Sequence, residues 1–289
     1  MLHKIHALSL AAVAAFALAP GLAAAATPNC AAANTSGSLN VVGLTSDSRL
    51  ICFNEFAPAS AVTIGFTYGL TGGDYRLVGI DFRVQDGGLY GVGNAGGVYR
   101  LSLTDGTATF VNRLSVALSG SNFGVDFNPA ADRLRIISDN GQNLRHNINA
   151  GGVTLTDGAL NYVAGTATNG VTGAAYTNND LVALTATTLF DLDAELDQVA
   201  LQSPPNNGTL VATGKLGVNA SYVAGFDIYS QLSSGGTVGN FALAAFRSPA
   251  SPGQTAVYSV NVLTGATTLR GSLSTDNDVY DIAIPLNQF

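Results

Sequence analysis

The sequence predicts an all-β fold: a β-propeller of five four-stranded blades. Short runs of alternating apolar residues, rich in Val, Ile, Leu, Tyr and Phe, recur between clusters of Gly, Asn, Asp and Thr. Such runs read as strands joined by tight turns, and helical 3.6-residue periodicity is nearly absent. The runs group in fours at a spacing of about 40 to 50 residues, the range of propeller blades. The two ends of the chain also complete each other.

In chain order, the first segment reads as a targeting signal. Lys4, between His3 and His6, supplies positive charge, an apolar run follows from Ala7 to Ala19, and small residues run from Ala23 to Ala26. That pattern predicts a secretory signal cut after about Ala26, with Thr27 as the mature start. The apolar run is shorter than the about 20 residues a bilayer span needs. Thr27, Pro28 and Asn29 before Cys30 do not form the small apolar box of a lipoprotein. The expected location is therefore periplasmic or extracellular, with residues 27–289 as one propeller domain.

The runs 40–44, 49–53 and 61–65 match the second, third and fourth strands of a unit that lacks its first. The next unit is complete, with strands at 77–82, 89–93, 97–103 and 108–114. A third has 123–127, 133–137, 143–147 and 152–155, and a fourth has 171–176, 181–184, 188–192 and 209–213. The fifth has 223–228, 241–246, 256–260 and 266–270. The last run, 281–284, is a first strand with nothing after it. Pairing it with the N-terminal strands closes the ring and hides sheet edges that would otherwise invite aggregation. A sandwich or solenoid would not need such complementary ends.

Several stretches resemble a bacterial family known as domain of unknown function 4394. They are LVGIDFRVQDGGLY from Leu77, FGVDFNPAADRLRIISDNGQNLRHN from Phe123, DGALNY from Asp157 and QSPPNNGTLVATG from Gln202. The resemblance covers nearly all of residues 27–289. It implies an exported propeller-like domain and no particular activity.

The net charge of −7 argues against nucleic acid as a partner, because that surface needs basic patches. No membrane span is expected. Cys30 and Cys52 are the two cysteines, and an oxidising compartment favours a disulfide between them. Two separate buried thiols are the alternative.

Specific catalytic signatures are absent. Gly91 to Gly96 matches G-x-G-x-x-G, but the following residues alternate as a strand, where a dinucleotide site needs a helix. His146 is the only histidine after residue 26, and no G-x-S-x-G elbow occurs. Zinc is implausible with one histidine, and no metal or other cofactor is expected, with calcium the alternative. His146 reads as a surface or hydrogen-bonded strand residue.

Two constellations stand out. Asp81, Asp126 and Asp227 recur on the first strands, each two residues after a glycine, with Ala175 and Ala283 as counterparts in the other blades. Residues two apart share a face of a strand. Near a central channel these carboxylates suit a sugar, a cation or acid–base chemistry. The structural alternative is that each accepts N–H bonds from turns of its own or the next blade. Arg133, Arg135, Asn143 and Arg145 form the second group, on two adjacent strands. They suit a bidentate carboxylate or sulfate clamp, or ion pairs with Asp126, Asp132 and Asp139. The acidic run Asp191, Asp193, Glu195, Asp197 and the triplet from Asp276 to Asp278 read as solvated faces. The loop from Gln202 to Gly208 is stiffened by its two prolines.

These observations favour a non-enzymatic binding or interaction module over an enzyme, its partner a small molecule, glycan or protein. A carbohydrate-active hydrolase or lyase using the three aspartates is the alternative. A structural envelope or matrix component is the other.

Overall fold

The computed structural model describes residues 28–32, 37–247 and 253–289. The expected signal segment lies outside these residues. Among the described residues, twenty strands form five antiparallel four-stranded sheets. Blade one contains β1 (Asn40–Thr45), β2 (Arg49–Asn54) and β3 (Ala57–Phe66). Blade two has β4 (Leu77–Phe82), β5 (Leu89–Gly93), β6 (Gly97–Leu101) and β7 (Ala108–Arg113). Blade three has β8 (Phe123–Asn128), β9 (Arg133–Ser138), β10 (Asn143–His146) and β11 (Thr154–Thr156). Blade four has β12 (Val171–Tyr176), β13 (Leu189–Asp193), β14 (Gln198–Gln202) and β15 (Leu210–Lys215). Blade five has β16 (Ala224–Ser233), β17 (Gly236–Arg247), β18 (Thr255–Val260) and β19 (Thr267–Ser272). The last strand, β20 (Val279–Ala283), returns to blade one, whose order is β20-β1-β2-β3.

Ring closure is a direct strand pairing, with Val42 opposite Ala283 and Gly43 opposite Ile282. Gln288 adds bonds in both directions with the backbone of Asn40. The inner strands β4 and β12 are buried along their whole length, while the outer strands β7 and β19 are largely exposed. Such inner strands cannot alternate cleanly between core and solvent, because both faces meet a neighbouring blade.

The hydrophobic core is therefore split into five interblade layers. Blades one and two share Val42, Leu44, Ile80 and Tyr99, and blades two and three share Val92, Phe127 and Ile136. Ile137, Tyr176 and Leu189 lie between blades three and four, and Leu192, Phe226 and Phe246 between four and five. Phe53, Ile282 and Leu243 complete the circle between five and one. The Cys30–Cys52 disulfide ties the N-terminal arm to β2. No helix among the described residues is long and apolar enough to cross a membrane.

Blade four departs from the sequence expectation. The run Leu181 to Leu184 is no strand: Leu184 is 97% exposed. Asp180 Oδ1 accepts the N–H of Val182, and Thr185 N–H bonds back to Val182, so the segment is spent on turns. The missing strand is β14, bounded by the buried Gln198 and Gln202, the second of which the sequence placed in the loop that follows. Asp197 takes a left-handed φ of 49°, which allows the short connection from β13 to β14. In blade five the first hairpin is longer than expected. Ser234 and Gly235, with φ of 51° and 85°, make the two-residue turn that matches strand twist. Its tip is held by Asp180 Oδ2, which accepts the N–H and hydroxyl of Thr237.

Candidate functional site

The three recurrent aspartates meet on the propeller axis. Glycine permits this. A Cβ at Gly124 would sit 2.6 Å from Ala174 N, and one at Gly225 would sit 2.5 Å from Ile282 N. Without side chains there, successive inner strands approach within backbone contact. The aspartate two residues later then reaches across to the next strand. Asp81 Oδ2 accepts the Phe127 N–H at 2.7 Å, Asp126 Oδ1 the Tyr176 N–H at 3.1 Å, and Asp227 Oδ2 the Ile284 N–H at 2.5 Å. The donors belong to inner strands of the neighbouring blades or, for Ile284, to the residue directly after β20, where turns were the expected source.

Sequence reasoning missed a fourth member, Asp281, which stands where the other inner strands carry glycine. Its Oδ2 accepts the Ile80 N–H at 2.7 Å. Carboxylates thus bridge four of the five inner-strand junctions. At the fifth, between β12 and β16, Ala175 offers no carboxylate. The available signal was alternation, which puts Asp281 on the face of Ala283.

One ligating oxygen of each of Asp81, Asp126 and Asp227 lies within 4.8 Å of the others. All three residues are buried. Burial raises their affinity for protons, and the neighbouring carboxylates add to it for Asp81 and Asp126. Asp227 is pushed up to about 6 by burial. Asp281 is also raised well above the usual carboxylate range by burial. The spacing suits a small cation, yet each carboxylate already engages a backbone N–H.

Arg135 lies between blades three and four. Its Nη1 donates to Asn143 Oδ1 and Asp157 Oδ2, both at 2.7 Å, its Nη2 to Asn206 Oδ1 at 2.9 Å, and its Nε to Tyr176 Oη at 3.3 Å. Arg145 Nε meets the same Asp157 carboxylate at 2.8 Å. Arg133 instead donates to the carbonyls of Ala131 and Asp132. The three arginines form no ion pair with Asp126, Asp132 or Asp139. Asp132 pairs with Arg83, and Asp139 accepts the N–H groups of Ser121 and Asn122. Asp157 and Asn206, which sequence reasoning passed over as partners, come from two distinctive segments, DGALNY and QSPPNNG. These lie against each other: Gly158 N–H bonds to Asn206 O and Asn161 N–H to Gly208 O.

The acidic run of blade four is not a solvated face, since Asp191 and Asp193 are fully buried. They sit on the face of β13 toward blade three, opposite Ala200 and Gln198 of β14. Tyr162 Oη donates to Asp193 Oδ2 at 2.7 Å, whereas neither oxygen of Asp191 finds a hydrogen-bond donor. Burial raises both pKa values. In the triplet from Asp276 to Asp278, Asn277 is buried and Asp278 pairs with Arg247 at 2.8 Å. His146 is buried between Thr154 Oγ1 and Asn112 Oδ1, each at 3.0 Å, and burial depresses its pKa to about 4. Gly91 to Gly96 forms the β5–β6 hairpin, with no helix behind it.

A cleft of about 950 Å³ opens over blade five, between blades four and one. Phe56, Phe241 and Leu263 line it with apolar surface and are 56%, 46% and 71% exposed. Thr188, Ser259 and Thr268 add hydroxyls. On one wall the Arg270 guanidinium lies 4.5 Å above the Phe56 ring, with Glu55 Oε2 at 3.4 Å from its Nε.

Comparison with known proteins gives a family and distant structural likenesses. A profile described as "Domain of unknown function (DUF4394)" matches residues 49–283. No curated protein matches the chain. An auxiliary nutrient binding protein from Bacteroides ovatus is 16% identical, with a TM-score of 0.39, over 60% of this chain and 46% of that one. Hydrazine synthase from Kuenenia stuttgartiensis is 8% identical, with a TM-score of 0.41, over 71% of this chain and 51% of that one. The chain thus spans about half the length of these two proteins. A protein of unknown function from Bacteroides thetaiotaomicron is 10% identical, with a TM-score of 0.42, over 88% of this chain and 69% of that one.

Proposed function

Because the chain belongs to the DUF4394 family, to which no activity is assigned, we propose a function from geometry alone: an exported binding module whose ligand occupies the cleft over blade five. The cleft itself carries this reading. Its volume of about 950 Å³ is that of a small-molecule site. The exposed faces of Phe56 and Phe241 suit the apolar face of a ring, and the hydroxyls of Thr188, Ser259 and Thr268 suit a polyhydroxylated rim. A short glycan has both. The disulfide supports export, since such bonds persist in oxidising compartments.

The hydrolase alternative draws little support from the axial aspartates. A glycosidase pair stands about 5 to 10 Å apart in an open cleft. Asp81, Asp126 and Asp227 are 6%, 2% and 3% exposed and are spent on backbone N–H groups. Arg135 and Asn143 are likewise engaged within the interblade network. Arg133 and Arg145 are partly exposed, Arg133 bonded to two backbone carbonyls and Arg145 to Asp157, so these two are the members of that group able to meet a ligand.

The test is a calorimetric screen of glycans and small metabolites against residues 27–289. A hit should weaken by about tenfold or more in Phe241→Ala and Phe56→Ala, the value of roughly 1.5 kcal/mol of ring contact. Asp126→Asn should leave it unchanged. Hits that ignore both phenylalanine variants would remove the ligand from this cleft.

A further inference from the structure

A second, smaller opening lies on the propeller axis, at the end where the inner strands begin. It measures about 180 Å³ and is walled by Arg76, Ser46, Ser121 and Tyr280 around Val78 and Phe123. Four of the five inner strands contribute to it, through the starts of β4, β8, β16 and β20. Asp81 lies three residues beyond Val78, about 10 Å deeper at the usual strand rise. The opening is therefore separate from the cleft over blade five and from the carboxylate cluster.

Arg76 is unusual among the ten arginines of this acidic chain. Eight others contact a carboxylate. Arg133 is satisfied by two carbonyl oxygens. Arg76 has no ion pair among the described residues. The side-chain contact of its guanidinium is with the Tyr280 hydroxyl, which itself donates to Leu77 O. A half-buried guanidinium with five donors and one neutral partner is short of acceptors.

We propose that this axial mouth binds a small monocarboxylate, with Arg76 as its counter-ion. A planar carboxylate matches the guanidinium fork bidentately. The Oγ atoms of Ser46 and Ser121 are further donors on the wall, and Val78 and Phe123 accept a short alkyl chain. A volume of 180 Å³ holds about six non-hydrogen atoms at the roughly 30 Å³ that a water occupies in the liquid. A dianion would need a second cation. Asp278, the one acid of the lining, pairs through Oδ2 with Arg247 at 2.8 Å, so Arg247 is engaged, and the remaining Asp278 oxygen would oppose a second negative charge.

Propionate and inorganic phosphate, titrated separately into the isotopically labelled protein, test the assignment through the backbone amide signals of Ser121, Val78 and Tyr222. Propionate should shift these saturably, and phosphate should not at equal concentration. Arg76→Gln should weaken propionate about ten- to a hundredfold, the value of a hydrogen-bonded charge. Arg76→Lys should retain part of the affinity, and Arg133→Gln and Phe241→Ala all of it. Thermal melts establish that each variant is folded. No saturable shift with propionate, an equal shift in Arg76→Gln, or phosphate binding as tight as propionate would overturn the proposal. The Phe241→Ala arm keeps this outcome independent of the blade-five cleft.

Discussion

Asp81 Oδ2 accepts the backbone N–H of Phe127 at 2.7 Å, joining β4 to the next inner strand by a bond that no sheet ladder supplies. The same bridge runs from Asp126 to Tyr176, from Asp227 to Ile284 and from Asp281 to Ile80. Away from the axis, neighbouring blades meet through apolar packing and through side-chain networks such as those of Arg135 and Arg83. These carboxylates add directed bonds between neighbouring inner strands, and they do so where burial and mutual repulsion oppose ionisation.

That opposition has a sign that can be measured. Asp227 binds its proton more tightly in the fold, at about 6, than its ordinary value of 3.8. Its contribution to stability is fully present below about pH 4 and is lost as pH rises through 6. Asp227→Asn keeps an acceptor oxygen and cannot ionise. Its melting temperature relative to the parent protein should therefore climb between pH 5 and pH 8, by the equivalent of about 1 kcal/mol. A difference that stays flat or falls over this range would contradict the raised pKa.

Gly124 should resist the smallest substitution. A methyl group there meets backbone of the adjacent inner strand, Ala174 N at 2.6 Å, which cannot turn aside. Gly43→Ala instead meets side-chain atoms of Val279 and Ile51 at 3.0 and 3.1 Å, which can adjust. Overpacking costs about 1 to 3 kcal/mol where neighbours give way, and more where they do not. Urea unfolding should show Gly124→Ala as the more damaging change. Equal midpoints would mean the inner strands can separate.

Arg135 and Arg145 share Asp157 but should not share its importance. Arg135→Met strands the buried Asp157 carboxylate and the buried Asn143 amide, for a loss of about 3 to 5 kcal/mol. Arg145 is a third exposed, so solvent screens its bond, and Arg145→Met should cost about 1 kcal/mol or less. Chemical denaturation of the two single variants and the double variant gives both values and their coupling. Similar costs for the two would show that Asp157 relies on solvent instead.

The disulfide closes a loop across 22 residues of sequence. By chain entropy it should contribute about 3 kcal/mol. Protein purified without reductant should yield no alkylatable thiol, and reduced protein should melt lower. Two free thiols in untreated material would remove the bond from the native state.

Much of the fold was legible because propeller strands are short, local and bounded by turns. The units at 77–82 and 123–127 show it, and so does the closing run near Asp281. Blade four was misread because the exposed run Leu181 to Leu184 looks more strand-like than the true third strand. Of the buried glutamines of β14, Gln198 donates to Tyr162 Oη, a partner 36 residues away in sequence, and Gln202 donates to the carbonyl of Pro205 in the turn that follows it. Cys30 and Cys52 were paired by elimination, since no third cysteine competes.

By itself, then, the sequence determined the strand pattern, the complementary ends and the recurrence of Gly-x-Asp, all of which depend on neighbours within a few residues. Tertiary structure alone decided what those aspartates face, that Asp281 joins them, that Asp157 and Asn206 occupy Arg135, and that Arg76 lacks an acid. Each of these depends on how one blade is rotated against the next. That rotation is set by packing across interblade layers, whose residues are drawn from segments tens to hundreds of positions apart, as with Phe53 and Leu243 in one layer.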